Sequence, residues 1–81
     1  MEGYYCVKAI FSNSSLTMSV NVPHDLLINT VYRKAFYYFK EKSKNYVCIK
    51  KLILYYSETD MHSDKNVMGV LLVDDYFINN C

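Results

Sequence analysis

Glycine and proline are scarce in this sequence, with two glycines and one proline among 81 residues, and tryptophan is absent. This scarcity excludes a flexible linker or a disordered tail, and two glycines cannot build a glycine-rich phosphate-binding loop. No apolar run reaches the length of about 18 residues that a membrane span needs, and the N-terminus has no basic-then-apolar signal pattern. We therefore expect a cytoplasmic protein without a membrane partner.

Cysteine and histidine are too few and too scattered to predict a metal centre. Cys6, Cys48 and Cys81 are an odd number without a CxxC pair, which predicts reduced thiols in a cytosolic protein. His24 and His62 form no pair with them at zinc-ligand spacing, so we predict neither a metal nor another cofactor. Two histidines with lysines could serve as acid and base in RNA cleavage. Because the histidines fall at a helix start and in a polar loop, both ordinary surface positions, we predict no catalytic residues and no enzyme.

Aromatic side chains are abundant by contrast. Nine tyrosines and four phenylalanines supply bulk for the shallow core of one small domain, which we place at residues 1–81. The formal charge of +1 is too small to give the whole chain a steering field for nucleic acid. Asn, Lys, Tyr, Ile and Phe are common while Gly, Ala, Arg and Pro are rare, a bias typical of AT-rich coding genomes, including those of many viruses and phages.

Alternating apolar residues predict an antiparallel β-hairpin at the start of the chain. They alternate over residues 4–11 and 16–22, on either side of a polar break, which is the period of a strand. Pro23 then ends the second strand, and Asp25 is predicted to cap a helix that ends near residues 42–44. The core face of this helix is predicted to hold Leu27, Ile28, Val31, Tyr32, Ala35, Tyr38 and Phe39.

The second half of the chain predicts two further strands. Residues 46–56 are rich in β-branched and aromatic side chains, and the adjacent Lys50 and Lys51 place this strand at a sheet edge. Residues 57–66 predict a polar loop, and the continuous apolar run at 67–73 predicts a central strand buried on both faces. The predicted fold class is therefore α+β, with a single helix packed on a mixed four-stranded sheet in the order ββαββ.

The helix start resembles that of the ubiquitin-like β-grasp family. Pro23-His24-Asp25-Leu26-Leu27-Ile28-Asn29 is similar to the Pro-x-Asp-x-apolar-x-Asn run of those proteins, and the order of strands and helix is similar as well. The resemblance implies that the last strand returns to the centre of the sheet. Two features depart from the family: the chain ends in Ile78-Asn79-Asn80-Cys81 without a Gly-Gly tail, and residues 57–66 are short for the family's extra edge strand. The resemblance implies a binding module rather than a conjugated tag.

A basic and aromatic stripe on the helix is the main candidate site. Seven of the nine basic residues fall within residues 33–51, where there is a single acid. Arg33, Tyr37, Lys40 and Lys44 recur at i, i+4, i+7 and i+11, which predicts a partner-binding stripe along the exposed side of the helix. The alternative is a solvated helix face that binds nothing.

These features together predict a small non-enzymatic protein-interaction module, a viral or phage factor that binds and inhibits a host protein in the cytoplasm. The alternative is an RNA- or DNA-binding module that uses the same basic helix face. An exposed strand edge, together with an acidic last third opposite the basic helix, is also compatible with a dimer.

Overall fold

The computed structural model describes residues 3–13, 15–43 and 48–77, which form a four-stranded sheet and three helices. In chain order the elements are β1 (Tyr4–Phe11), β2 (Thr17–Pro23), α1 (Ile28–Ser43), β3 (Ile49–Tyr55), α2 (Glu58–Ser63), β4 (Val67–Leu72) and α3 (Val73–Tyr76). The strands are ordered β2-β1-β3-β4, and every neighbouring pair is antiparallel. The α+β class is confirmed, whereas the prediction of a mixed sheet is wrong and the predicted order ββαββ omitted α2 and α3.

The predicted hairpin is confirmed, because β1 and β2 pair antiparallel. Asn13 shapes the turn between them. Its side-chain oxygen accepts a hydrogen bond from the Ser15 backbone N–H at 3.0 Å, and its carbonyl accepts one from the Leu16 N–H, also at 3.0 Å. An asparagine that bonds the backbone two residues ahead stabilises a tight turn, so the polar break brings the two strands together.

The strands β3 and β4 occupy each other's predicted places. β3 lies inside the sheet between β1 and β4, and β4 lies at an edge, so the edge position predicted for residues 46–56 and the central position predicted for 67–73 are wrong. A bulge explains how two adjacent lysines fit into a central strand, because the register between β1 and β3 skips Lys50. Lys50 is exposed, and Lys51 is half-buried on the face of the sheet away from α1. The bulge, and not an edge position, keeps both lysines out of the core.

The arrangement of the strands also bears on the family resemblance. A β-grasp domain would return its last strand to the sheet centre, whereas β4 is an edge strand antiparallel to β3. The β-grasp arrangement is therefore not confirmed. Since β2 and β3 both run antiparallel to β1, they run parallel to each other, and α1 is the crossover that connects them over β1.

The core lies between α1 and the sheet face that it covers. Val7 and Ala9 of β1 and Leu52 of β3 alternate into it and have no exposed surface. Phe39 of α1 is equally buried, and the edge of its ring meets Phe11 with ring centroids 6.5 Å apart. Large aromatic side chains thus give a small domain the buried apolar surface that it needs.

The helix α1 begins at Ile28, two residues later than predicted. The Leu26 N–H donates to the Pro23 carbonyl at 3.4 Å, so a turn precedes the helix. The N-cap position consequently falls on Leu27, and the prediction that Asp25 caps the helix is wrong.

The core face of α1 is rotated relative to the predicted face. Phe36, which was not predicted to face the core, is only 2% exposed, whereas Leu27 is 78% exposed and Ile28 and Tyr38 are also exposed. Because Leu27 precedes the helix, the buried stripe begins at Val31 rather than at Leu27. The other predicted core residues are confirmed: Val31, Tyr32, Ala35 and Phe39.

The helix α2 replaces most of the predicted polar loop. Ser57 is its N-cap, since the Ser57 Oγ accepts from the Asp60 N–H at 3.2 Å and donates to Asp60 Oδ2 at 3.0 Å. The helix ends at Ser63 and is followed by its C-cap, Asp64, which adopts a left-handed conformation with φ 55°. Serine followed by an acid three residues later is a helix-start signal, and this signal predicts α2 where overall polarity predicted a loop.

Candidate interaction surface

The predicted stripe is only partly assembled. Arg33 and Tyr37 lie one turn apart on α1 and are both exposed, Tyr37 by 61%. Lys40 is half-buried, with its Nζ 5.8 Å from the centroid of the Phe36 ring, a cation–π contact that holds the ammonium against α1 itself. Lys44 lies outside the described residues. The structure therefore brings together Arg33 and Tyr37, which we call the Arg33–Tyr37 ridge.

Two surface grooves flank this ridge. The first has a volume of about 580 Å³ and runs between α1 and the C-terminal part of the described chain; we call it the α1–β4 groove. It is lined by Asn29, Tyr32, Arg33, Tyr37, Val70, Leu71, Tyr76 and Phe77. The second has a volume of about 480 Å³ and lies between α1 and β2, on the other side of the ridge.

The α1–β4 groove arises from the way in which α1 crosses the sheet. The helix packs against β1, β2 and β3, whereas α3 packs against β3 and β4. Phe77, which follows α3, stacks on Phe36 of α1 with ring centroids 4.2 Å apart and planes 8° apart. In this stack Phe36 is buried and Phe77 is half-buried, and the preceding residue, Tyr76, is 70% exposed. The groove is thus built beside an aromatic contact between the core residue Phe36 and Phe77 at its lining.

Half of the residues that line the α1–β4 groove are aromatic, and a single one is charged. Arg33 is the one cation among the described residues that line it, and no acid lines it. The groove between α1 and β2 has more charged residues, since Arg33 is joined there by Lys34 and Glu41. A guanidinium at the rim of an aromatic groove is a composition found at protein interfaces, where tyrosine and arginine are enriched.

Several lining residues were not predicted to take part in a site. Val70 and Leu71 were expected to be buried in a central strand, and no role was predicted for Tyr76. The exposure of Val70 follows from the edge position of β4, which depends on long-range strand pairing. The acids Asp74 and Asp75 were the one local signal, because they end the apolar run just before Tyr76.

The two histidines have separate structural roles. His24 lies between the rings of Tyr5 and Tyr56, with centroid distances of 4.3 and 4.6 Å, and its Nε2 is 2.8 Å from the Tyr56 carbonyl oxygen. His62 is exposed and lies 3.5 Å from the Glu58 carboxylate, one turn away on α2. Among the described residues no three His, Cys, Asp or Glu side chains are grouped so that they could hold a metal.

A buried polar cluster lies beneath α2, on the sheet face away from α1. The Tyr55 hydroxyl donates to Asp64 Oδ1 at 2.8 Å, and burial, followed by that hydrogen bond and the Asp64 charge, raises the pKa of Tyr55 to about 12. Burial also raises the pKa of the Cys6 thiol, with a further contribution from the Glu58 charge. A thiol held in its protonated form is a poor nucleophile, so this cluster stabilises the fold rather than forming a reactive site.

The cysteines differ from the expectation of reduced thiols. Cys6 is a buried free cysteine, as expected, whereas Cys48 is disulfide-bonded, so the expectation is wrong for Cys48. Cys81 lies outside the described residues.

No family model matches this chain, and no curated protein and no solved structure is significantly similar to it. None of the helices within residues 3–13, 15–43 and 48–77 combines the length and the hydropathy that crossing a bilayer requires. The geometry of the ridge and its grooves is therefore the basis for a functional proposal.

Proposed function

We propose that this chain is a small non-enzymatic protein-interaction module, and that it binds a partner protein through the Arg33–Tyr37 ridge and the α1–β4 groove. The observation that carries this proposal is the composition of the groove, which is rich in tyrosine and phenylalanine and contains one cation and no acid. A groove of this kind accepts an apolar side chain of a partner, while Arg33 bonds a carboxylate or a carbonyl beside it.

Tyr37 is the proposed anchor of the interface. It is 61% exposed and lies at the boundary of both grooves, so a partner that covers either groove also covers the Tyr37 ring. Tyrosine and arginine side chains dominate the binding energy of many protein interfaces, because they offer a large apolar surface together with a directed hydrogen bond. We also propose, from the AT-rich compositional bias, that the partner is a host protein which a viral or phage factor binds and inhibits in the cytoplasm.

A second candidate function is RNA or DNA binding through the basic helix face. Arg33, Lys34 and Lys42 are exposed on α1, and Lys42 Nζ lies 5.5 Å from the centroid of the Tyr38 ring, which is itself exposed. Cations beside an exposed aromatic ring fit a single strand with stacked bases. Protein binding is favoured because Lys40 is drawn onto Phe36 and a single cation lines the α1–β4 groove.

Selection of a random peptide library against the immobilised chain tests the protein-binding proposal without a known partner. We expect enriched peptides that carry an aromatic or large apolar residue. Tyr37→Ala should weaken their binding by about 2 kcal/mol, which is about thirtyfold in Kd. Tyr4→Ala is the matched control, because Tyr4 is similarly exposed on β1 and lines neither groove. No enrichment, or an equal loss in both variants, would contradict the proposal.

Titration with fluorescent single-stranded RNA and duplex DNA at several salt concentrations separates the two functions. Nucleic-acid binding would fall steeply with the logarithm of salt, because each phosphate contact releases counterions. It would also be abolished by Arg33→Glu combined with Lys40→Glu. Peptide binding through an apolar groove should depend weakly on salt.

A further inference from the structure

The two edges of the sheet differ in their protection against further strands. The β2 edge presents exposed Thr17, Ser19 and Asn21 and ends in Pro23, and polar residues and proline are common edge defences. The β4 edge has no charged residue and no proline over Val67–Leu72. An apolar edge of this kind is an available template for another strand.

The side chains of β4 are exposed as well as apolar. Val70 and Leu72, each 55% exposed, lie opposite Ile53 and Lys51 of β3 on the sheet face away from α1. A bulge in the pairing with β3 falls between Val67 and Gly69 and confines the regular part of the edge to residues 69–72. A paired strand would therefore be short, and burial of Val70 and Leu72 would supply much of its stability.

Among the described strands, none pairs with the outer side of β4. Within the part of the chain that the structure describes, β4 pairs with β3 alone, and α1 packs on the other three strands. Neighbouring strands lie about 4.8 Å apart, so an added strand would lie beside β4 without displacing α1.

The charges at the two ends of β4 identify a second copy of this chain as the partner. Lys65 precedes β4, whereas Asp74 and Asp75 follow it, and all three residues are exposed. In an antiparallel pair the start of each strand lies beside the end of the other, so Lys65 of each copy would face the two acids of its partner. A two-fold axis produces this pairing of Lys65 with Asp74 and Asp75 at both ends of the paired strands. Such self-complementarity is what an isologous dimer requires.

We propose that two copies pair antiparallel through β4 and form one continuous sheet, with both α1 helices on the same face. Val70 and Leu72 of the two copies then form one apolar patch on the opposite face. This inference goes beyond the proposed function, because it concerns the edge of the sheet, although Val70 lines the α1–β4 groove as well. Leu72 lines neither groove, so a change there tests the dimer separately from partner binding.

Sedimentation velocity over a wide range of chain concentrations provides the first test. The native chain should dimerise, and Leu72→Glu should weaken the dimer by at least about tenfold, because it buries a carboxylate near its symmetry mate. The monomer should stay folded, since Glu at position 72 lies opposite Lys51 and opposite charges across strands are favourable. Thr17→Glu on the β2 edge is the matched control and should leave the dimer unchanged.

Charge reversal tests the antiparallel orientation. Lys65→Glu should weaken the dimer by about threefold to tenfold, and adding Asp74→Lys and Asp75→Lys should restore it. Amide hydrogen exchange should slow at residues 69–72 as the concentration rises. A native chain that stays monomeric, an equal effect of Thr17→Glu and Leu72→Glu, or exchange at 69–72 that does not change with concentration would each overturn the proposal.

Discussion

A hydrogen bond from Tyr55 connects β3 to the end of α2. Replacing Tyr55 with phenylalanine should therefore destabilise the protein in a pH-dependent way. Its side chain is 1% exposed, and its hydroxyl donates to Asp64 Oδ1 at 2.8 Å. Asp64 is the C-cap of α2, where its N–H donates to the Met61 carbonyl at 3.2 Å. Since α2 contains no buried residue, this bond is a principal attachment of the helix. A hydrogen bond to an exposed carboxylate contributes about 1.5 kcal/mol, and Tyr55→Phe should lose that amount near neutral pH.

The pH dependence follows from the pKa of Tyr55, which burial and Asp64 raise from 10.0 to about 12 in the folded protein. Between these two values the unfolded chain loses the phenol proton while the folded chain keeps it, so stability falls as the pH rises. The tyrosine's contribution is complete below about pH 10 and declines by about 2 kcal/mol toward pH 12. The phenylalanine variant lacks this decline, so the two free energies of unfolding should become equal at about pH 11, and the variant should be slightly the more stable at about pH 12.

Urea unfolding followed by circular dichroism, at intervals from about pH 7 to about pH 12, measures the difference between native chain and variant. Taking the difference cancels the titration of groups common to both. Tyr4→Phe is the control, because Tyr4 is half exposed and its loss of a hydroxyl should change nothing. A Tyr55→Phe variant as stable as the native chain near pH 7, or a gap that stays constant up to pH 12, would refute the assigned role of the bond.

Two further predictions concern the packing beneath the candidate surface. A Cβ at Gly69 would lie 2.7 Å from the Tyr32 hydroxyl, so Gly69→Ala should lower the free energy of unfolding by about 1–3 kcal/mol. The loss should be smaller in a Tyr32→Phe background, which lacks that oxygen. Thermal denaturation of the double-mutant cycle measures this coupling, and its absence would contradict the contact. Phe36→Ala should lower the free energy of unfolding by about 3–5 kcal/mol, because the ring is buried against Phe77. Tyr37→Ala should change it by less than about 0.5 kcal/mol. If both substitutions destabilise the protein equally, Tyr37 belongs to the core.

Local periodicity predicts the hairpin and α1 because these elements depend on neighbours in sequence. The alternation in residues 4–11 and 16–22 reports one buried and one exposed face, and the structure pairs these residues as β1 and β2. The spacing of Val31, Ala35 and Phe39 likewise reports the buried face of α1. Such patterns are set by burial alone and do not require knowledge of which strands meet.

The order of the strands could not be predicted in the same way. A continuous apolar run is typical of a strand covered on both faces, yet β4 lies at an edge with Val70 and Leu72 exposed. Adjacent lysines are typical of an edge, yet a bulge accommodates Lys50 within the central strand β3. The apolar run and the adjacent lysines are thus each compatible with a central strand and with an edge strand. Only the long-range pairing of the strands decides between these positions.

The exchanged positions of β3 and β4 change where a partner can bind. With β4 in the centre, the exposed edge would have carried lysines and repelled a second strand, and the helix stripe would have been the one candidate surface. With β4 at the edge, an apolar strand without charge is open beside the α1–β4 groove. The bulge near Val67 protects the start of this edge, but residues 69–72 carry neither lysine nor proline and stay available to another strand. The apolar run that predicted a buried strand is consistent with that role, because dimerisation would bury its exposed side chains between two copies.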